Sequence, residues 1–231
     1  MMMTERFSPA RASHAAGIVH ESLVAALAPL TGQAFIESLV VRLTDVLGVG
    51  YAFVAQRSRG NPALARTVAV AHKGGSVADL IYPLEGTPCG DVLAAGVCEL
   101  AQAAQAAYPA DPSLGHMGVE SYVGVLLTCD RGRPLGWLAV MHGAPLQDVR
   151  RITDLLLAIA PRTAAELQRM EIERILHESQ RAMEQRVAER TAELEVATLA
   201  LERAEQMLRE AGLEPPPRDV HASELAARLC R

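Results

Sequence analysis

Aromatic side chains are scarce in this chain of 231 residues. Phe, Trp and Tyr together make up only 3 % of it, and there is a single Trp. Half of the residues are nevertheless hydrophobic, so Ala, Leu and Val must fill most of the core. The length is enough for one good-sized domain and an extension. We therefore expect the few aromatic residues to have defined places in the fold.

An excess of basic residues is also missing. The formal net charge is −5 and the isoelectric point is about 5.8. Nucleic acids and anionic membranes attract basic surfaces, so neither is expected as a partner. No apolar run approaches the roughly 20 residues that span a bilayer. The first residues, Met1 to Phe7, lack the apolar run of a secretion signal. We expect a cytoplasmic protein.

The sequence offers no cluster of metal ligands. No C-x-x-C pair and no Cys/His group with zinc spacing is formed by its four cysteines, Cys89, Cys98, Cys129 and Cys230. Scattered cysteines without a secretion signal suit a reducing compartment. The histidines His72, His116 and His142 are isolated. Phosphate-binding loops, nucleophile elbows and H-E-x-x-H are absent as well. No metal and no catalytic residue is therefore predicted, and the cofactor remains unknown.

Apolar periodicity and turn residues divide the chain into segments. We predict a loose leader over 1–16, an amphipathic helix over 17–30, and a domain over 31–169. Within the domain, a helix ending at Gly48 precedes the strands, and two of them form a hairpin joined by Asp130 to Arg133. The predicted strands are Tyr51–Arg57, 67–72, a third ending at Leu84, a short edge strand 98–100, 121–129 and Pro134–His142.

The stretch 82–96 should contain the end of a strand and the start of a helix. Thr87 is a good N-cap, and Pro88 suits the first helical position, where its missing N–H costs nothing. Cys89 would then lie in the first turn, and Gly96 would end the helix. The helix dipole would lower the pKa of Cys89 if this thiol were exposed.

The same stretch, Y-P-L-E-G-T-P-C-G-D-V-L-A-A-G, resembles the GAF domain family in the branch that carries Y-x-L-x-G-T-P-C-x-x-V-x-x-x-G. Downstream, E-S-Y-V-G-V at 120–125 and L-G-W-L-A-V at 135–140 are similar to two strands of that branch. The resemblance covers roughly 31–169. It implies an α+β fold, in which a central antiparallel sheet flanked by helices encloses a small-molecule pocket.

The resemblance places several residues at or near such a pocket: Tyr82, Cys89, His116, Glu120, Ser121 and Tyr122. Each has a plainer interpretation. Cys89 can be a small buried residue at a helix start, and the two tyrosines can be core residues whose hydroxyls reach a partner. Glu120 can cap a helix end or face water. Gly90 stands where bilin-binding relatives typically have His, so chromophore attachment is not expected.

A helix beginning near Asp148 should continue to Gly212, with a kink or brief break at Pro161. From 170 to 212 its apolar residues follow a heptad pattern, which predicts a coiled-coil dimer. The seam consists of Val187, Leu194, Ala197, Leu201, Ala204 and Leu208. The run R-V-A-E-R-T-A-E-L at 186–194 resembles the linker that joins bacterial sensor domains to histidine kinases. Residues 213–231 form a tail broken by three prolines.

Three functions remain open at this point. The first is a cytoplasmic sensor or regulatory homodimer that binds a small molecule or senses redox state, and signals to a downstream protein or forms the detached input part of a sensor histidine kinase. The second is an enzyme similar to the GAF-fold methionine sulfoxide reductases, with Cys89 and Cys98 as its thiols. The third is a structural module whose pocket is filled by side chains.

Overall fold

The structure, a computed structural model, describes Leu23 and residues 25–212. The predicted leader, most of the predicted helix over 17–30, and the tail 213–231 with Cys230 lie outside the described residues. Contacts divide the chain into two units, one ending at Glu173 and the other beginning at Arg174.

Within the described residues of the first unit, seven strands form one antiparallel sheet. They are β1 (Tyr51–Arg57), β2 (Leu64–His72), β3 (Gly75–Val77), β4 (Ile81–Pro83), β5 (Val97–Leu100), β6 (Ser121–Thr128) and β7 (Pro134–His142). The strand order is β3-β2-β1-β7-β6-β5, and β4 also pairs with β2. The sheet therefore brings the start and the end of the domain together, because β1 and β7 are neighbours at its centre.

The helices are α1 (Gly32–Leu47), α2 (Pro88–Ala95), α3 (Ala104–Ala107), α4 (Pro112–His116) and α5 (Val149–Glu210). Helix α1 ends as predicted, since Gly48 adopts a left-handed conformation and its N–H donates to the carbonyl of Thr44. Together, the antiparallel sheet, the flanking helices and the long C-terminal helix confirm the predicted α+β architecture. Within the described part of the chain, no helix is long and apolar enough to cross a membrane.

Alternation along the strands gives the sheet two apolar faces. In β6, Val123 and Val125 pack toward α1 and the first part of α5, whereas Tyr122 and Leu126 pack on the opposite side. The α1/α5 face holds the larger cluster, which includes Phe35, Leu39, Leu43, Val54, Leu138, Leu156 and Ile159. The other face holds Phe53, Val70, Val92, Leu114, Trp137 and Met141.

The prediction of one continuous third strand ending at Leu84 is wrong. The segment forms two short strands, which pair with different parts of β2: β3 lies along Val70 to His72, and β4 along Leu64 to Arg66. Between them the backbone N–H of Leu80 donates to Thr67 Oγ1 at 2.7 Å. The N–H of Thr67 still donates to the Leu80 carbonyl at 3.0 Å. Thr67 therefore binds Leu80 through both its backbone and its side chain, and the regular ladder is interrupted between β3 and β4.

Of the two alternatives predicted at Pro161, a kink or a brief break, the break is absent, because α5 is helical from Val149 to Glu210. The residues on either side of Pro161 are held by the core: Ile159 and Ala160 precede it, and Thr163 and Ala164 follow it, all of them buried. This packing can compensate for the missing backbone donor.

Candidate functional site

A cavity of about 170 Å³ lies on the sheet face opposite α1 and α5. Strands β1, β2, β6 and β7 supply its floor, the start of α2 and the region of α4 supply its sides, and the segment 80–82 borders it. Its wall consists of Phe53, Thr67, Val70, Leu80, Ile81, Tyr82, Pro88, Cys89, Asp111, Ser113, Leu114, Met117, Tyr122 and Met141.

Local sequence fixes the start of α2 at this cavity, as predicted. Thr87 is the N-cap: its Oγ1 accepts from the N–H of Gly90 and donates to the carbonyl of Leu84 at 2.7 Å. Pro88 opens the helix, and Cys89 follows in the first turn. A Cβ at position 90 would lie 2.6 Å from the Leu84 carbonyl oxygen. Gly90 therefore permits the close approach that holds Cys89 against the cavity.

The Cys89 thiol lies between two phenols. The Tyr82 hydroxyl donates to its Sγ at 3.4 Å, and the Tyr122 hydroxyl lies 3.4 Å away on another side. Cys89 is only 4 % exposed and Tyr122 is fully buried. Tyr82 and Cys89, seven positions apart, thus meet Tyr122, 33 positions beyond Cys89, through their polar atoms in an otherwise apolar wall.

Burial dominates the protonation of this group. It raises the pKa of Cys89 from its ordinary value of 9.0 to about 11, although hydrogen bonds from Tyr122 and Tyr82 act in the opposite direction. Burial also raises the pKa values of Tyr82 and Tyr122, and the neighbouring thiol adds to both shifts. The helix dipole would have lowered the pKa of an exposed Cys89, but this thiol is buried and stays protonated at neutral pH.

Trp137 joins this group, and the sequence motifs did not single it out. Its side chain is fully buried, and its indole N–H has no hydrogen-bond partner among the described residues. The N–H nevertheless lies close enough to Cys89 and Tyr82 to lower the pKa values of both. The available signal was that the only Trp of an aromatic-poor chain occupies an inward-facing strand position.

The position of Tyr122 depends on the glycine two residues further along β6. A Cβ at Gly124 would lie 2.6 Å from the Tyr122 hydroxyl oxygen and 2.8 Å from Val92 Cγ2. Real Cβ atoms do not approach other atoms so closely. The missing side chain therefore leaves the room in which the Tyr122 ring lies along its own strand and beneath α2.

The other three predicted pocket residues do not line this cavity. Glu120 Oε1 accepts from the N–H of Ala103 at 2.9 Å, beside the start of α3. Ser121 is buried on the opposite face and donates to the carbonyl of Ala144 at 2.9 Å. His116 is exposed at the end of α4. The cavity thus brings together Tyr82, Cys89 and Tyr122, along with Trp137 behind them.

A second polar chain lies near the first but outside the cavity wall. Cys98 Sγ is 3.7 Å from the hydroxyl of Tyr108, which donates to the Asp91 carboxylate. Burial raises the pKa of Cys98. Cys89, Cys98 and Cys129 are all free thiols.

Two of the histidines, His72 and His142, have structural partners. His142 Nδ1 accepts from the N–H of Gly50 at 3.1 Å, and His72 Nδ1 lies 3.0 Å from the Gly50 carbonyl oxygen. Among the described residues, no group of three or more His, Cys, Asp and Glu side chains is placed to hold a metal ion.

No family model matches the sequence, and no curated protein matches it. Solved structures do resemble it. The GAF domain of a phosphoenolpyruvate-protein phosphotransferase from Coxiella burnetii aligns with a TM-score of 0.58 at 17 % identity, over 69 % of this chain and 96 % of that one. A free methionine-R-sulfoxide reductase from Neisseria meningitidis, in complex with its substrate, gives 0.50 at 18 % identity, over 76 % and 99 %.

The phycoerythrobilin-bound GAF domain of a cyanobacterial phytochrome gives a TM-score of 0.50 at 14 % identity, over 70 % of this chain and 99 % of that one. At such identities the similarity concerns the fold. The solved structures that share it include domains of a phosphotransferase and of a phytochrome, and a methionine-R-sulfoxide reductase. The chain therefore has a GAF-like fold, in agreement with the resemblance of its sequence motifs.

Proposed function

We propose that this chain is a sensor or regulatory module, in which a small molecule in the cavity changes the packing of α5 and thereby a coiled-coil homodimer. The observation that carries this proposal is the arrangement of the sheet. The cavity lies on one face, the first part of α5 lies on the other, and the same central strands form both surfaces.

Adjacent residues connect the two faces. In β6, Tyr122 borders the cavity while Val123 packs in the cluster beneath α5. In β7, Trp137 lies on the face that bears the cavity, and Leu138 packs in the cluster beneath α5. A ligand that shifts Tyr122 or Trp137 must therefore also move the strand positions on which α5 rests, because packed cores transmit small displacements.

Polar contacts attach α5 to the rest of the domain. Thr153 in its second turn donates to the Glu99 carboxylate on edge strand β5. Further along, Glu166 Oε2 accepts from the N–H of Gly32 at 2.7 Å, at the start of α1. The Arg162 guanidinium carbon lies 4.8 Å from the centre of the Phe35 ring. A change in the sheet has defined points at which it can act on α5.

The second unit supports the dimer part of the proposal. The seam residues Val187, Leu194 and Leu201 are exposed in the single chain. A polar helix with an apolar stripe gains little stability alone, whereas a second copy would bury the stripe. Such a homodimer can act on a downstream signalling protein, or serve as the input part of a sensor histidine kinase.

Two measurements test this function. Native mass spectrometry of protein purified from its own host should show a dimer that carries a defined additional mass. In sedimentation, Leu194→Lys with Leu201→Lys should give a monomer. The matched control is Val196→Lys with Leu199→Lys, because these residues are equally exposed but lie off the seam. This control should remain dimeric. A seam variant that still sediments as a dimer would refute the proposed coiled coil.

One observation favours a second candidate, a thiol enzyme: the free thiol Cys89 lines the cavity, and one structural neighbour reduces free methionine-R-sulfoxide. Against it, a pKa of about 11 keeps Cys89 as the weakly nucleophilic thiol. Turnover of free methionine sulfoxide with a dithiol reductant, lost on Cys89→Ser or Cys98→Ser, would establish this activity. We expect no turnover above the background of the double variant.

A further inference from the structure

The group around Cys89 contains more hydrogen-bond donors than its observed contacts satisfy. Four hydrogens are available: the hydroxyls of Tyr82 and Tyr122, the thiol of Cys89 and the indole N–H of Trp137. The structure shows two hydrogen bonds among them, from Tyr82 to Cys89 and between Cys89 and Tyr122. One of the two hydrogens on Cys89 and Tyr122 is therefore left over, together with the N–H of Trp137.

The sulfur is a poor acceptor for the surplus. It already accepts from the Tyr82 hydroxyl, and thiols accept hydrogen bonds only weakly. A buried donor without an acceptor is costly, and in native proteins it usually signals an absent partner. Because Tyr122 and Cys89 both border the cavity, an acceptor atom placed there can take the surplus hydrogen.

The other residues of the wall limit the chemical class of the molecule that can supply this acceptor. The described residues that line the cavity include no Lys, Arg or His, whereas Asp111 contributes a carboxylate. An anion would therefore enter without a compensating charge and close to a negative one. Most of the wall is apolar. A volume of about 170 Å³ is similar to the cavities of about 150 Å³ that hold benzene.

We propose that the cavity binds a small neutral molecule, about the size of one substituted ring, whose single hydrogen-bond-accepting oxygen faces Tyr122 and Cys89. This inference rests on the proposed sensor function, since it names the ligand class for the same cavity. A compact ketone or ester fits these requirements. Carboxylates, phosphates and plain hydrocarbons of equal size do not.

Three probes of about nine non-hydrogen atoms each separate these classes: acetophenone has the acceptor, isopropylbenzene lacks it, and benzoate adds a negative charge. The purified full chain is labelled with 15N. Because Trp137 is the only tryptophan, its indole N–H gives a single assigned NMR peak. Titration should move this peak, and acetophenone should bind roughly tenfold more tightly than isopropylbenzene, the usual value of one hydrogen bond. Benzoate should bind at least roughly tenfold more weakly than acetophenone.

Tyr122→Phe should remove most of the preference for acetophenone over isopropylbenzene while binding of the hydrocarbon persists. Tyr51→Phe is the matched control, because Tyr51 stacks on His72 and does not border the cavity. It should leave all three affinities unchanged. Equal binding of the hydrocarbon and the ketone, tighter binding of benzoate, or no binding by any probe would each overturn the proposal.

The same titration separates this inference from the proposed function. If acetophenone binds with the expected preference but the amide peaks of Thr153 and Leu156 in α5 stay in place, the ligand class stands and signalling through α5 fails. If no probe binds while host-purified dimers carry another mass, the ligand class fails and the sensor function stands.

Discussion

The Tyr82 hydroxyl donates a hydrogen bond to the Cys89 thiol across 3.4 Å, joining the short strand β4 to the first turn of α2. These two elements border the cavity next to the interruption between β3 and β4. The contact therefore determines both the chemistry of the cavity wall and the position of the segment beside it. The protonation state of the Cys89 thiol can be tested directly.

Among the described thiols, Cys89 should react most slowly with an alkylating reagent, and Cys129 should react fastest. Burial raises the pKa of Cys89 to about 11, while hydrogen bonding from the backbone N–H of Arg131 lowers the pKa of Cys129. Because the thiolate is the nucleophile, iodoacetamide at pH 8 should label Cys129 at least about tenfold faster than Cys89. Peptide mapping by mass spectrometry measures both rates, and the Cys129→Ser variant serves as the control. Comparable rates at the two positions would contradict the buried, protonated thiol.

Stability should fall in alkali, partly through Cys89. Its pKa is higher in the folded chain than its ordinary value of 9.0, so below pH 9 both states hold the proton and the full stability is present. Between pH 9 and about 11 the unfolded state loses its proton first, and the free energy of unfolding decreases. Over this range the decrease attributable to Cys89 is about 2–3 kcal/mol.

Urea unfolding at several pH values measures this decrease, with Cys89→Ala as the reference. The variant still contains Tyr82 and Tyr122, whose raised pKa values also lower stability in alkali. The difference between the two proteins therefore contains the titration of the thiol and the part of the two tyrosine pKa shifts that the thiol causes. Parallel curves for the wild type and Cys89→Ala would show that the thiol pKa is not raised by folding.

Gly124→Ala should disturb the cavity more than its single methyl group suggests. The new Cβ would lie 2.6 Å from the Tyr122 hydroxyl oxygen and 2.8 Å from Val92 Cγ2. The Tyr122 ring must move, so its contact with Cys89 is lost and overpacking costs about 1–3 kcal/mol. Urea unfolding should show the destabilisation, and alkylation of Cys89 should become faster. Gly60→Ala is the control, because nothing lies within 4 Å of its Cβ position. A Gly124→Ala variant as stable as this control would contradict the packing.

Features set by neighbouring residues were predictable from the sequence. The start of α2 follows from Thr87 and Pro88, whose capping and fixed φ act within one turn. The β6–β7 hairpin follows from two alternating runs and a short turn. In both places the decisive interactions connect residues that are close in the chain.

The contacts that make the site were not predictable in this way. Trp137 reaches Cys89 and Tyr82 only because β7 pairs with both β1 and β6, and no local pattern fixes that register. The GAF resemblance indicated Tyr82, Cys89 and Tyr122, but alternation along β6 places Ser121 on the opposite face from Tyr122. At the interruption between β3 and β4, Thr67 of β2 binds Leu80 through both its backbone and its side chain, and no local pattern indicates this contact.

Glu166 should matter for stability far more than the exposed acid Glu173, about two helical turns beyond it. Its carboxylate accepts from the N–H of Gly32 at 2.7 Å and is 12 % exposed, whereas the Glu173 side chain is 55 % exposed and pairs with Arg169 at 3.0 Å. Glu166→Ala leaves a half-buried backbone donor without its acceptor, which costs about 1–3 kcal/mol. Glu173→Ala should change stability by less than about 1 kcal/mol, as is usual for surface ion pairs.

Glu166→Gln separates the hydrogen bond from the charge. The amide oxygen can still accept from Gly32. The uncharged side chain, however, no longer forms ion pairs with Arg162 and Arg169, whose nitrogens lie 4.0 Å and 3.9 Å from the Glu166 carboxylate oxygens. We expect this variant to lie between the wild type and Glu166→Ala in urea unfolding. Amide hydrogen exchange at Gly32 should accelerate in the alanine variant only. If Glu166→Gln is as unstable as Glu166→Ala while Gly32 remains protected, the charge on Glu166, and not its hydrogen bond to the start of α1, holds α5 against the domain.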